Sequence, residues 1–321
     1  MSLMLKQRSA AEKPAVDKNG WKYGTLRDLR INKYIYIMLV PVVAYYVLFY
    51  YVPMYGLQIA FKDYSPGLGM WGSDWVGFRY FNDFFNSYYF WRLLRNTLLL
   101  SFYELLFGFP ASIILALLLN ELRSSRLKRF VQTVTYMPHF ISLVVVAGML
   151  VDFLARDGLI NNVLSWFGAE PVAFLRESGW FRTIFISSNV WQSVGWGSII
   201  YLSAMSGIDP SLYEASRVDG ASRWRQTLSV TLPGIMPTVV ILLILQIGHF
   251  MSVGTDKILL LYNSSTYETA DVIGTFVYRK GILESNFSYS SAVGLFNALI
   301  NFTLLVLANA ISRRTSENKL W

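Results

Sequence analysis

Residues 208–233 read Ile208-Asp209-Pro210-Ser211-Leu212-Tyr213-Glu214-Ala215-Ser216-Arg217-Val218-Asp219-Gly220-Ala221-Ser222-Arg223-Trp224-Arg225-Gln226-Thr227-Leu228-Ser229-Val230-Thr231-Leu232-Pro233, a polar interruption between two strongly apolar runs. Asp209 suits an N-cap, Pro210 the first helical position, and Gly220 the left-handed residue that closes a helix. The spacing predicts a helix of about two turns. Leu212 with Ala215 gives it a small apolar face, and Glu214 and Arg217 stand at i,i+3 on another. A short capped helix held between two apolar runs has the form of a docking knob.

Outward from this stretch the chain is unusually apolar. Its 321 residues are 54% hydrophobic, 16% aromatic and 15% charged, with mean hydropathy +0.39. Soluble domains carry about a quarter charged residues, so this composition indicates a polytopic membrane protein. Apolar runs at 34–61, 96–120, 130–154, 183–205, 232–253 and 290–311 predict an all-α integral membrane protein with six transmembrane helices. The expected layout is a tail at 1–33, a six-span domain at 34–311 with its polar loop at 207–231, and a second tail at 312–321.

Six spans put both termini on one side. The two tails, the loop between the second and third spans and the 207–231 loop hold 18 of the 28 Lys and Arg residues, so those parts are expected to be cytoplasmic. The first tail is too long and polar for a signal peptide. The net charge of +8 is thereby explained by topology, with no need for nucleic acid. Cysteine is absent, which excludes disulfides, thiolate metal sites and cysteine nucleophiles. His139 and His249 are too few and too separated for a metal site, and no catalytic residue set is found. No Gly-x-x-x-x-Gly-Lys-Ser/Thr loop occurs, so the chain holds no such cradle for nucleotide phosphates.

The polar stretch resembles the Glu-Ala-Ala loop of ATP-binding-cassette (ABC) importer permeases. Glu214, Ala215, Gly220, Leu232 and Pro233 fall in register with that pattern, while Ser216 and Val230 depart from it by small changes in size or shape. The resemblance extends through Phe61-Lys62-Asp63-Tyr64, Trp75-Val76-Gly77-Phe78, Asn96-Thr97, Ala116 to Glu121 and Gly158-Leu159-Ile160-Asn161 to the maltose-type sugar permeases. Leu261-Tyr262-Asn263, Asp271-Val272, Tyr278-Arg279, Ser291-Ala292-Val293-Gly294 and Leu320-Trp321 are similar to the polysaccharide and oligosaccharide branch, and within it to alginate importers.

This resemblance implies a type I importer permease of a bacterial cytoplasmic membrane, working by alternating access. It implies a heterodimer with a second permease, an extracytoplasmic solute-binding protein, and two ATPase subunits that hold the ATP and Mg. It also implies ATPase coupling through Leu212, Tyr213, Glu214, Ala215, Ser216, Gly220, Leu232 and Pro233. The expected cargo is an oligosaccharide or polysaccharide, acidic if the likeness to alginate importers holds.

Polar side chains inside spans face the bundle or a water-filled path, because hydrocarbon offers them no partner. Candidates for lining a sugar path are Asn189 and Gln192, Gln246 and His249, and Asn297 and Asn301, each pair sharing a helix face. Trp191 and Trp196 are candidates for stacking on a sugar ring. Hydrogen bonding between helices is the competing role for the polar residues, and packing for the tryptophans. Glu104 is the single acid well inside a span. A proton-coupled secondary transporter would use it as a relay; a neutral or hydrogen-bonded structural carboxylate is the expected role. A non-transporting membrane scaffold is the remaining alternative.

Overall fold

The computed structural model describes residues 31–315. The tails at 1–30 and 316–321, with 8 of the 18 basic residues assigned to the cytoplasmic side, lie outside the described residues. The chain divides between Gln58 and Ile59 into two compact units.

The first unit is helical from Lys33, the start of α1 (Lys33–Phe61). Its side chains are apolar on all sides of the helix, the pattern of a membrane span. A π-turn at Val47–Tyr51 lies just before Pro53. The same arrangement recurs in the second unit, with π-turns at Glu104–Gly108 before Pro110 and at Thr227–Thr231 before Pro233. A proline ring clashes with the carbonyl four residues back and offers no N–H to it. The wider π-turn moves that carbonyl away, so each span accepts its proline without breaking.

The second unit takes in the last three residues of α1 and then a two-residue antiparallel ladder, β1 (Lys62–Asp63) against β2 (Asp74–Trp75), where Phe61 stacks on Trp75 at 5.7 Å. This ladder is the exception to an otherwise helical fold. Next come α2 (Arg79–Phe85) and α3 (Phe90–Glu121), followed by α4 (Ser125–Phe140) and α5 (Leu143–Phe153). The chain continues through α6 (Leu159–Trp166), α7 (Ser178–Ser206), α8 (Pro210–Val218), α9 (Arg223–Gly248), α10 (Thr255–Leu261), α11 (Ile273–Tyr278) and α12 (Phe287–Thr315).

Among the described residues, α1, α3, α9 and α12 are long and apolar enough to cross a membrane. The expected third span is not one straight helix. α4 and α5 meet at a 99° bend after a 3₁₀ turn at Met137–Phe140. Pro138 within that turn withholds a donor from the helical ladder, and the chain runs extended through Ile141 and Ser142 before α5 starts. α7 has 29 residues, about 43 Å at the helical rise, but Ser187, Ser188, Asn189, Gln192 and Ser193 interrupt its apolar character.

Three buried apolar clusters hold these helices together. Leu100, Phe185, Val253, Ile258 and Val272 join α3, α7 and the segment after α9. Ala116, Tyr201, Met205 and Ile235 join α3, α7 and α9 toward α8. Phe84, Leu93, Met251, Ile273, Phe276 and Val293 tie α2, α3, α11 and α12. α7 therefore runs through the unit with α3 and α9 beside it, and it leads directly to α8.

Candidate functional site

At one end of α7 the polar loop folds as its sequence dictates. The Ser211 N–H donates to the Asp209 carboxylate at 2.9 Å, and this contact holds the carboxyl below its ordinary value. Gly220 adopts a positive, left-handed φ. The Gly220 N–H bonds to Arg217 O, and the Ala221 N–H reaches back to Ser216 O at 2.9 Å, the closure of a left-handed helix end. α8 turns Leu212, Glu214, Ala215 and Arg217 to the outside. Tyr213 and Ser216 turn inward: the Tyr213 hydroxyl shares a hydrogen bond with Thr231 Oγ1 at 3.0 Å, and Ser216 Oγ donates to Tyr213 O. Thr231 ends the π-turn before Leu232 and Pro233. The knob is therefore fixed to α9 through a side chain as well as through the connecting loop. Arg223 pairs with Glu121 at 3.4 Å, which brings the end of α3 to the same region.

A polar cluster lies about halfway along α3 and α7, beside the end of α9. Glu104 stands close to the midpoint of α3, far from either end of the helix. Its carboxylate accepts from Asn189 Nδ2 at 3.3 Å, and Asn189 Oδ1 accepts from Lys257 Nζ at 2.8 Å. Two cavities meet this cluster. One of about 390 Å³ is lined by Glu104, Ser112, Trp196, Tyr201, Gln246 and His249 among others. A second of about 210 Å³ has Glu104, Asn189, Gln246, His249 and Ser252 in its wall. Four nominated path residues, Asn189, Gln246, His249 and Trp196, thus come together with the separately weighed Glu104.

The other nominees have different surroundings. Gln192 donates to Ile141 O at 3.3 Å, inside the extended link between α4 and α5. Asn297 Nδ2 reaches Met251 O at 3.4 Å, and Asn301 takes the Met251 N–H at 2.7 Å while donating to Ser252 Oγ. These two asparagines brace the chain where α9 has ended. Trp191 lines a separate cleft of about 700 Å³ with Arg182, Tyr103 and Phe107. Trp196 stacks on His139 at 4.6 Å with nearly parallel planes.

Two features go beyond the sequence reading. The path nominated from the sequence is free of acid, whereas Glu104, at the start of the π-turn Glu104–Gly108, lines both cavities and meets Asn189 of α7. Lys257, which the sequence presents only as a loop charge, is 2% exposed and bonded to the same cluster. Its one sequence signal is a lone cation ahead of the apolar run Ile258 to Leu261.

Toward the end of α7 opposite α8, Asp271 is fully buried and accepts from Arg279 at 2.8 Å, Arg92 at 3.3 Å and Thr275. Burial alone would lower the Arg279 guanidinium, but the Asp271 carboxylate holds it above its ordinary value. Asn96 donates to Asp271 O and Glu268 O and accepts from Arg182, while Thr97 takes the Ile273 N–H. Asn161 similarly clamps Ala155 and Val172. Several motifs that carried the resemblance are thus residues that pin loops to helix ends.

Comparison with known proteins accords with this architecture. A sequence profile described as "Binding-protein-dependent transport system inner membrane component" matches residues 108–317. The Protein LplB of Bacillus subtilis is 42% identical over the whole of both chains. The polygalacturonan/rhamnogalacturonan transport system permease protein YteP of the same organism is 43% identical, over 97% of this chain and 98% of the relative. In the crystal structure of a bacterial ABC transporter involved in the import of the acidic polysaccharide alginate, one chain is 44% identical. It superposes with TM-score 0.85 over 94% of this chain and all of that one. A further crystal structure, of the alginate ABC transporter in complex with an alginate pentasaccharide-bound periplasmic protein, matches with TM-score 0.86 and 44% identity over 92% of this chain.

Proposed function

The chain belongs to the family of binding-protein-dependent transport system inner membrane components, and from that premise we propose that it is the permease subunit of an ATP-driven importer for an acidic oligosaccharide or polysaccharide. One observation carries the reading. The helices that wall the polar mid-span cavities, α3, α7 and α9, are the helices whose ends hold the exposed knob α8. A force applied to α8 is transmitted to α9 through the Tyr213–Thr231 bond and along the chain into α7. Alternating access needs that connection: a cytoplasmic engine moves the knob, and the spans reorient around the cavity.

In this reading α8 docks on an ATPase subunit that holds ATP and Mg, with Glu214 as the anionic contact and Leu212 and Ala215 as the apolar one. α7 is the fourth of six crossings, and the bent pair α4 and α5 is the third. Both termini face the cytoplasm of a bacterium, a second permease completes the path, and a solute-binding protein delivers the sugar from outside. The amides of Asn189 and Gln246 and the imidazole of His249 offer hydrogen bonds to hydroxyl and carboxylate groups, and Trp196 offers a ring face. The names of relatives that handle alginate and polygalacturonan support a uronate cargo. The test is ATPase activity of the assembled complex with its own binding protein, comparing oligouronates with neutral oligosaccharides of similar length. Stimulation by oligouronates is expected; stimulation by neutral sugars alone would refute the acidic cargo, and stimulation by neither would refute the importer reading.

A further inference from the structure

We infer that Lys257 is a specificity-determining residue for a carboxylated saccharide, because it offsets the negative charge that Glu104 puts on the cavity wall; the inference rests on the importer reading above. Glu104 lines both mid-span cavities. A uronate entering them meets a like charge on a partly buried wall, where repulsion is less screened than in bulk water. Lys257 lies behind that wall at the foot of α10, beside the apolar cluster of Ile258, Leu261, Phe185 and Val253. A buried ammonium there needs a compensating partner.

The partner is reached through an amide. Lys257 Nζ donates to Asn189 Oδ1, and Asn189 Nδ2 donates to Glu104 Oε2. The orientation of Asn189 is fixed from both sides: its acceptor faces the cation and its donor faces the anion. Lys257 does not line either cavity, so its role is to balance the wall's charge and to hold Asn189, not to grip the sugar. The pair leaves the wall with hydrogen-bonding groups and no net charge. Removing Lys257 alone leaves the wall negative, removing Glu104 alone leaves it positive, and removing both restores neutrality.

The experiment uses the whole complex with its binding protein in proteoliposomes and reads oligouronate-stimulated ATPase and uptake. The chains compared are wild type, Lys257→Met, Lys257→Arg, Glu104→Gln and the double variant Lys257→Met with Glu104→Gln. Lys257→Met is expected to lose about tenfold or more in stimulation, the scale set by an uncompensated buried charge. The double variant is expected to recover to within about threefold of wild type, since the two substitutions act on one pair. Lys257→Arg keeps the charge and retains most of the response.

A double variant no better than Lys257→Met would show a purely structural lysine and overturn the inference. So would a Lys257→Met complex equal to wild type, while leaving the importer reading intact. Should Lys257→Met fail to assemble, Glu104→Gln carries the test: the oligouronate concentration for half-maximal stimulation falls several-fold, and an unchanged or higher value overturns the inference. A wild-type complex that answers neutral sugars alone would remove the inference and the acidic cargo together.

Discussion

Gly195 gives the most quantitative test of how the spans meet. α7 crosses α4 there with backbones in contact: a Cβ added at 195 would lie 2.0 Å from Thr135 O, 2.4 Å from Thr135 C and 2.9 Å from Tyr136 N. Cβ atoms essentially never approach other heavy atoms within 3.0 Å, so Gly195→Ala requires the two helices to part by about 1 Å. All three obstructing atoms are main chain, and no rotamer change relieves them. Overpacking of this kind costs about 1–3 kcal/mol. At roughly 2–4 °C per kcal/mol for chains of this order of size, the melting temperature of the purified permease should fall by about 2–12 °C. The assay is thermal unfolding in detergent, with Gly148→Ala as the control, because a Cβ at 148 meets nothing within 4 Å. Equal melting temperatures and equal yields for Gly195→Ala and the control would refute the close crossing.

Three further outcomes follow from other contacts. Glu214→Ala removes the exposed anion of α8, and Gly220→Leu strains a residue held at positive φ; in reconstituted complexes both should weaken ATPase docking or uncouple hydrolysis from uptake, and full substrate-stimulated activity in both would defeat the docking assignment. Asp271→Asn leaves the Arg92 and Arg279 guanidinium groups without a carboxylate and should cost ~3 kcal/mol or more, read as lost yield or a lowered melting temperature; an unchanged protein would show the buried network to be dispensable. Glu104→Gln should retain ATP-dependent uptake, whereas uptake driven by a proton gradient without ATP, and abolished by this change, would establish a secondary transporter.

The polar loop at 207–231 was legible because its determinants are local. Asp209, Pro210 and Gly220 act on neighbouring backbone groups, and caps of that kind survive any tertiary context. The bend between α4 and α5 was less so. Prolines at 41, 53, 110 and 237 sit within or at the start of continued helices, while Pro138 precedes a break, so the residue type alone does not tell the two apart. Of the polar pairs predicted to share a face, Gln246 with His249 and Asn297 with Asn301 stay together, but partners on other elements divide the third. Asn189 meets Glu104 and Lys257, while Gln192 meets Ile141. Lys257 itself depends on a contact across 68 positions of sequence, which periodicity does not report.

The Gln192–Ile141 contact bears on how this protein could be retuned. The extended link at 141–142 exposes a carbonyl that no helix satisfies, and Gln192 supplies the donor from the next helix. Any diversified library along α7 aimed at new cargo would lose members with an apolar residue at 192 to misfolding before selection saw their specificity. Neighbouring Ser193 carries no such duty to another helix: its hydroxyl bonds to the Asn189 carbonyl within α7, and it lines the cavity of about 390 Å³. Adaptive variation should therefore accumulate at 193 and spare 192, a contrast between adjacent codons that deep mutational scanning would expose.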